Sequence, residues 1–255
     1  MPRTETLQHS SQGADDRRTR TRPAHVPDMA QVESLLLQAL ETEMGGLKVY
    51  ETALECAQDP RLVKEWTKYH DETKEHERIM LEVLDAFGVD PHRETPDRAV
   101  VRHIGTSLVD AMRQALASGN PVAAQLVAAE CVTLAETKDH LNWQLIGEVS
   151  KALDGELADA LKEAYDEVED QEDEHLYHTM GWCRELWLDS LRLPSVLPPP
   201  EEKREVKSMA AAARAKSDRK AQLPKAAKAR GRTSAKGAGA KRTATRRKSA
   251  SRRRR

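Results

Sequence analysis

The feature that most constrains this 255-residue chain is a pair of charged side chains within an otherwise apolar helical stripe. From residue 157 to residue 186, mostly apolar side chains recur every three or four positions, as on one face of an α-helix. Glu172 and His175 fall on that same face. Because an ionised carboxylate is costly to bury without a partner, the stripe predicts a hydrogen-bonded pair or a metal ion inside a helical core.

Proline, glycine and capping residues divide the middle of the chain into five predicted helices. The boundaries are Asp28, Asp59-Pro60, Gly88, Pro96, Gly119, Asn120-Pro121, Asp154-Gly155 and Pro194. The helices are predicted to run from about 28 to 58, 61 to 87, 97 to 117, 121 to 153 and 156 to 193. One Phe and an abundance of Ala, Leu, Glu and Lys agree with an all-α fold.

Three of the other helices also carry a charged or imidazole side chain on an apolar face. These residues are Glu43 on the first helix, His76 on the second and Glu136 on the fourth. Glu72 precedes His76 by four residues and can share its face. In antiparallel helical hairpins, residues equally far from the turn lie at one height, so these groups are predicted to converge at one level of a bundle.

The apolar positions of the third predicted helix are not interrupted by an acidic residue. Its members are Val100, Ile104, Leu108, Met112 and Ala115. We therefore expect a crossover or capping helix outside a central four.

Simpler interpretations remain open at this stage. Glu172 and His175 lie in an acidic run and would also suit a solvated helix edge. His76 would also suit a core histidine with ordinary hydrogen bonds, and Glu136 with His140 a surface pair.

On these residues, positions 28–193 resemble the ferritin-like four-helix bundles of rubrerythrin and bacterioferritin. That family holds two metals with one Glu on each of two helices and Glu-x-x-His on the other two. The resemblance implies the ligands Glu43, His76, Glu136, Glu172 and His175. Thr73 stands in the second-helix Glu position, and Glu72 is the neighbouring candidate. It further implies iron, as a di-iron centre, with ferroxidase or peroxide-consuming activity.

The ligand chemistry alone also favours particular metals. Carboxylate-rich sites with one or two imidazoles suit iron, with manganese as the alternative.

Charge is divided sharply along the chain. Residues 201–255 contain 21 Lys and Arg and 4 Asp and Glu, a balance of +17, whereas residues 1–200 carry −18. The segment is rich in Ala, Lys and Arg and is similar to the tails of linker histones and bacterial histone-like proteins. Flexible cationic chains of this kind neutralise nucleic-acid phosphates without reading sequence. The predicted contacts at its end are Lys241, Arg242, Arg246, Arg247, Lys248, Arg252, Arg253, Arg254 and Arg255.

The predicted organisation is therefore a disordered arm (1–27), a ferritin-like bundle (28–193) and a disordered basic tail (194–255). Three scattered cysteines and the absence of an apolar leader or membrane-length segment favour a cytoplasmic, nucleoid-associated protein without membrane contact. We expect a homo-oligomer.

The predicted function is iron oxidation or peroxide removal by a bundle tethered to DNA, in the context of oxidative stress. The alternative is a non-enzymatic nucleoid protein whose metal-free bundle serves oligomerisation or partner binding.

Overall fold

The computed structural model describes residues 26–200, which form five α-helices and no strand. The helices are α1 (Met29–Cys56), α2 (Pro60–Ala86), α3 (Pro96–Ala117), α4 (Pro121–Ser150) and α5 (Glu156–Ser190). The all-α prediction is confirmed. The arm before residue 26 and the tail after residue 200, with its nine predicted phosphate contacts, lie outside the described residues.

Local chemistry sets where the helices begin. The side chains of Asp28, Asp59, Thr95 and Asn120 accept hydrogen bonds from backbone N–H groups in the first turn of α1, α2, α3 and α4. Proline opens α2, α3 and α4, where its missing N–H costs nothing. These signals placed the predicted starts within a residue or two of the observed ones.

Side-chain contacts fix the directions of the helices. Ser34 of α1 donates to Asp97 at the start of α3 (2.9 Å), so these two helices run parallel. Asn142, late in α4, donates to Thr42 of α1 (2.9 Å), and Gln125, early in α4, accepts from the α1–α2 turn. Helix α4 is therefore antiparallel to α1.

Helices α1, α2, α5 and α4 pack in that order around a four-helix ring, and each neighbour is antiparallel to the next. Helix α3 lies outside the ring against α1 and α4 and carries the chain back along the length of the bundle. The prediction of a crossover helix outside a central four is consistent with this arrangement.

The packing face of α3 differs from the predicted one in the first half of the helix. Val100 and Ile104 are 58% and 52% exposed, and Arg98 and Val101 are buried instead, whereas the predicted Leu108, Met112 and Ala115 do pack on the core. The predicted positions from Val100 to Met112 are four residues apart, a spacing that drifts around a helix. Arg98 is buried because Glu41 of α1 accepts from its Nε (2.7 Å).

The bundle core consists of two apolar clusters at different heights. One contains Leu40 of α1, Ile79 of α2, Trp143 of α4 and Val168 of α5. The other contains Val49, Tyr69, Val132 and Trp182 of the same four helices. The predicted charged positions of every helix lie between these two clusters, so a buried polar layer separates two apolar ones.

After α5 the chain packs back onto the bundle. Val196 N–H donates to Glu185 (2.8 Å), and Arg61 of α2 donates to the carbonyl of Leu197 (2.9 Å). Contact with the bundle thus continues past residue 193, the predicted limit of the domain. Among the helices of residues 26–200, none has the length and apolarity needed to cross a membrane.

Candidate metal centre

The polar layer contains six acidic or imidazole side chains that are almost completely inaccessible to solvent. They are Glu43 of α1, His76 of α2, Glu136 and Asp139 of α4, and Glu172 and His175 of α5. Each helix of the ring therefore contributes at least one. Five of the six predicted site residues are among them.

Glu172 is at the middle of this cluster. Its Oε1 lies 3.0 Å from Nδ1 of His76 and 3.5 Å from Nδ1 of His175. Two triplets of side chains have ligand atoms close enough to hold one metal ion each: His76, Glu172 and His175, and Glu43, Asp139 and Glu172. Glu172 belongs to both.

Both histidines are held by their outer ring nitrogen. Nε2 of His76 lies 3.0 Å from Oε1 of Gln171, and Nε2 of His175 lies 3.0 Å from Oε2 of Glu72. When Nε2 carries the proton toward these acceptors, Nδ1 of each ring keeps its lone pair for the interior. Hydrogen bonds of this kind fix the tautomer and orientation of metal-binding histidines.

Each carboxylate of the layer has an oxygen without a hydrogen-bond partner among residues 26–200. These atoms are Glu43 Oε2, Glu136 Oε2, Asp139 Oδ1 and Glu172 Oε2, and Nδ1 of His76 and of His175 faces the same interior beside Glu172 Oε1. Buried polar atoms in proteins are normally satisfied, since each unsatisfied one costs about 1–3 kcal/mol. Their concentration at one level indicates a ligand for that space.

Burial and mutual repulsion set the protonation of the acids. Burial, with the neighbouring carboxylates, raises the pKa of Glu43 and of Asp139 well above the ordinary range. Burial and the Glu172 charge raise the pKa of Glu136 to about 8.

Glu172 and His175 form the charged pair of the layer. Burial acts to raise the pKa of Glu172, but His175 and His76 outweigh it and lower that pKa to about 2. Burial acts to lower the pKa of His175, but Glu172 and Glu72 raise it to about 10. Without a metal, an imidazolium therefore faces an ionised carboxylate, and a cation would have to displace the proton of His175.

Glu72 occupies a different place from the other five predicted residues. It is in neither triplet, its side chain is 23% exposed, and it lies on the outer side of His175. Lys68 is 3.3 Å from its other oxygen. Its position is that of a hydrogen-bond acceptor that orients His175.

Sequence reasoning missed Asp139. It follows Glu136 by three residues, so α4 presents two carboxylates one turn apart to the interior. This Glu-x-x-Asp spacing was visible in the sequence. Thr73 in turn is buried and donates to the backbone carbonyl of Tyr69 (2.8 Å), so α2 contributes only His76 to the layer.

His140 also has a different environment from the expected surface pair with Glu136. It is buried, with Nδ1 3.5 Å from Oδ1 of Asp173 and Nε2 2.8 Å from Nε2 of Gln144.

Comparison of the chain with protein-family models, with curated proteins and with solved structures found no match. The family resemblance therefore stands on the motif and on the arrangement of the helices alone.

Proposed function

We propose that the polar layer binds two divalent metal ions, iron in the first place and manganese as the alternative. His76, His175 and Glu172 would hold one ion, and Glu43, Asp139 and Glu172 the other. Glu136, whose Oε2 is 3.7 Å from Nδ1 of His175, can reach the first ion. Glu72 and Gln171 would position the two imidazoles.

The observation that carries this proposal is the set of unpartnered ligand atoms at one buried level. An ordinary ion-pair network of equal burial would satisfy its own oxygens and nitrogens. Here each of the four carboxylates has an oxygen without a partner among the described residues, and all six side chains belong to residue types that bind iron or manganese.

Charge balance supports two ions rather than one. With metal bound, four ionised carboxylates and two neutral imidazoles would carry a charge of −4 in a buried layer. Two divalent cations would neutralise them, whereas one would leave uncompensated buried charge, which is costly.

The chemistry expected from such a centre is reduction of dioxygen or peroxide by bound ferrous iron. The protein would supply a dry layer, fixed imidazole orientation and carboxylates able to shift between ligand modes. Glu43 is further held by the indole N–H of Trp143, which donates to its Oε1 (2.8 Å). This fixes one oxygen and leaves Oε2 for the interior.

The test is elemental analysis of the full-length chain after anaerobic loading with ferrous iron and removal of excess metal. We expect about two irons per chain, as in carboxylate-bridged two-metal sites. Glu172→Gln should retain at most about one, because both triplets lose their shared carboxylate.

Glu167→Gln is the matched control, since it makes the same change at an exposed position of the same helix. It should bind iron like the wild type. An iron-free wild type with normal helicity, or full loading of Glu172→Gln, would refute the site. Oxygen consumption by the loaded protein then distinguishes an oxidoreductase from a metal-stabilised structural bundle.

We propose separately that residues 201–255 bind DNA without sequence preference and so keep the bundle at the nucleoid. The observation that favours this is the segregation of charge, +17 in this segment against −18 in the rest of the chain. If the bundle binds no metal, this DNA contact becomes the main activity, and the bundle serves oligomerisation or partner binding.

A further inference from the structure

A second polar cluster lies beside the metal layer, between α2 and α5. The hydroxyl of Tyr69 donates to Oε1 of Glu65 (3.0 Å) and lies 2.9 Å from Nδ1 of His178. The indole N–H of Trp182 donates to the other oxygen of Glu65 (2.8 Å). Tyr69 and Trp182 are completely buried.

This cluster touches the proposed centre through one ring contact. The rings of Tyr69 and His175 have centroids 4.4 Å apart and an interplanar angle of 40°. His175 of the proposed centre thus packs directly against an oxidisable phenol whose hydroxyl donates to a carboxylate and contacts an imidazole nitrogen.

We propose that Tyr69 is a redox-active residue that gives one electron to the oxidant reduced at the metal centre and passes its proton to the Glu65–His178 pair. This inference rests on the proposed function. The oxidant is dioxygen, whose reduction to two waters takes four electrons and four protons. Bound ferrous iron supplies two electrons, Tyr69 supplies one and becomes a neutral phenoxyl radical, and an external one-electron reductant supplies the fourth.

The hydrogen bonds of Tyr69 favour it as the electron donor, because they give its proton a place to go. Loss of an electron alone would leave a buried cation radical, and an unpaired buried charge is costly. Transfer of the phenolic proton to Glu65 or His178 in the same step leaves the ring neutral. The ring thus loses one electron and one proton together, and its net charge does not change.

Tyr50 provides an internal comparison. Its ring lies 6.3 Å from that of His175, and its hydroxyl faces Glu136, a carboxylate of the proposed centre itself. Release of its proton would protonate a proposed metal ligand, whereas the proton of Tyr69 can go to Glu65 outside the metal layer, so we assign the electron transfer to Tyr69.

Trp182 extends the path toward the surface. Its ring lies under the guanidinium of Arg61, 5.9 Å from the ring centroid, and the Arg61 side chain is half exposed. An electron from Trp182, replaced in turn by an external one-electron reductant, returns Tyr69 to the phenol as its proton moves back. Peroxide left after two ferrous ions have been oxidised could in this way be reduced further.

The experiment is rapid-freeze electron paramagnetic resonance of the full-length protein, loaded anaerobically with ferrous iron and mixed with oxygen-saturated buffer, with iron content measured on the same samples. We expect a phenoxyl radical signal that narrows when tyrosine is supplied ring-deuterated. Tyr69→Phe should lose the signal while keeping its iron. Tyr165→Phe, the same change at a partly exposed tyrosine of α5 outside the cluster, should keep both.

His178→Leu removes the imidazole of the Glu65–His178 pair and should reduce the radical yield at least about 10-fold, within the range expected for loss of a group that assists proton transfer. Iron bound without a radical, or a radical that survives Tyr69→Phe, would overturn the inference and leave the metal site standing. An iron-free wild type would overturn the proposed function and this inference together.

Discussion

At the scale of single residues, the metal-free polar layer holds protons more tightly than the unfolded chain does. The pKa of Glu136 rises to about 8, and that of His175 rises to about 10. Both groups therefore favour the folded state at low pH. The contribution of His175 is complete below its ordinary pKa and is lost as the pH rises toward 10, and Glu136 loses its contribution between its ordinary pKa and about 8.

The free energy of unfolding of the metal-free protein should therefore fall by at least about 2 kcal/mol between about pH 5 and about pH 9. Urea titrations with a chelator present measure it at each pH. Glu136→Gln, which cannot ionise, should flatten the slope between about pH 5 and about pH 8. A stability that rises with pH in the chelated wild type would contradict the protonation scheme.

Bound metal should reverse the pH dependence of the free energy of unfolding. Because the cation displaces the proton of His175 and the protons of the raised carboxyls, the stabilisation by bound metal should increase with pH. The same titrations with a redox-inert divalent cation, such as zinc, provide the comparison.

The site was predictable from sequence to the extent that its residues interrupt apolar stripes. Glu43, Glu136 and Glu172 with His175 stand out because burial of such groups needs a reason. The stripes alone do not show that Glu72 faces outward and Asp139 inward. A rotation of one residue about a helix axis decides which of two adjacent acids faces inward, and packing against three other helices sets that rotation.

At the scale of helices, the backbone of α4 and a side chain of α5 approach each other closely at Gly147. A Cβ added to Gly147 would lie 2.7 Å from the ring of Tyr165, whereas one added to Gly45 of α1 would meet nothing within 4 Å. The absence of a side chain at Gly147 therefore permits the contact of these two helices.

Gly147→Ala should lower the free energy of unfolding by about 1–3 kcal/mol through overpacking. Gly45→Ala, the same change within α1, should raise it by about 0.5–1 kcal/mol, because alanine is the better helix former. Urea denaturation of both variants at one pH checks the pair. Equal effects of the two substitutions would show that the Tyr165 ring moves aside freely.

Helix positions followed from the sequence more completely than helix faces did. Asp, Asn and Pro at helix starts act locally, so the boundaries needed no tertiary information. The face of α3 depended on Glu41, 57 residues before Arg98 in the chain, which no local pattern reveals.

At the scale of the whole molecule, we expect DNA retention to depend on the basic segment and not on the acidic remainder of the chain. Truncation after Pro200 removes the +17 segment and leaves a chain of charge −18. The truncated protein should lose nearly all DNA retention at low salt, because the remaining acidic chain repels phosphates.

Retention by the full chain should itself fall by about 10³-fold or more between about 50 and 200 mM salt if the nine terminal cations contact phosphates. Electrophoretic mobility shifts across a salt series measure both effects. A chain that lacks residues 201–240 but keeps 241–255 is the control and should keep most of the salt dependence. Unchanged retention after truncation at Pro200 would end the tail proposal.

The path of the chain places the two ends of the described segment far apart. The described segment begins at the end of the bundle where α1 starts, and it finishes at the opposite end, where residues 194–200 rest on α2 and α5. With a rise of 1.5 Å per residue, the 28 residues of α1 separate these ends by about 40 Å, roughly twice the width of a DNA duplex. A DNA duplex bound near residue 200 would therefore lie about one bundle length away from the start of α1.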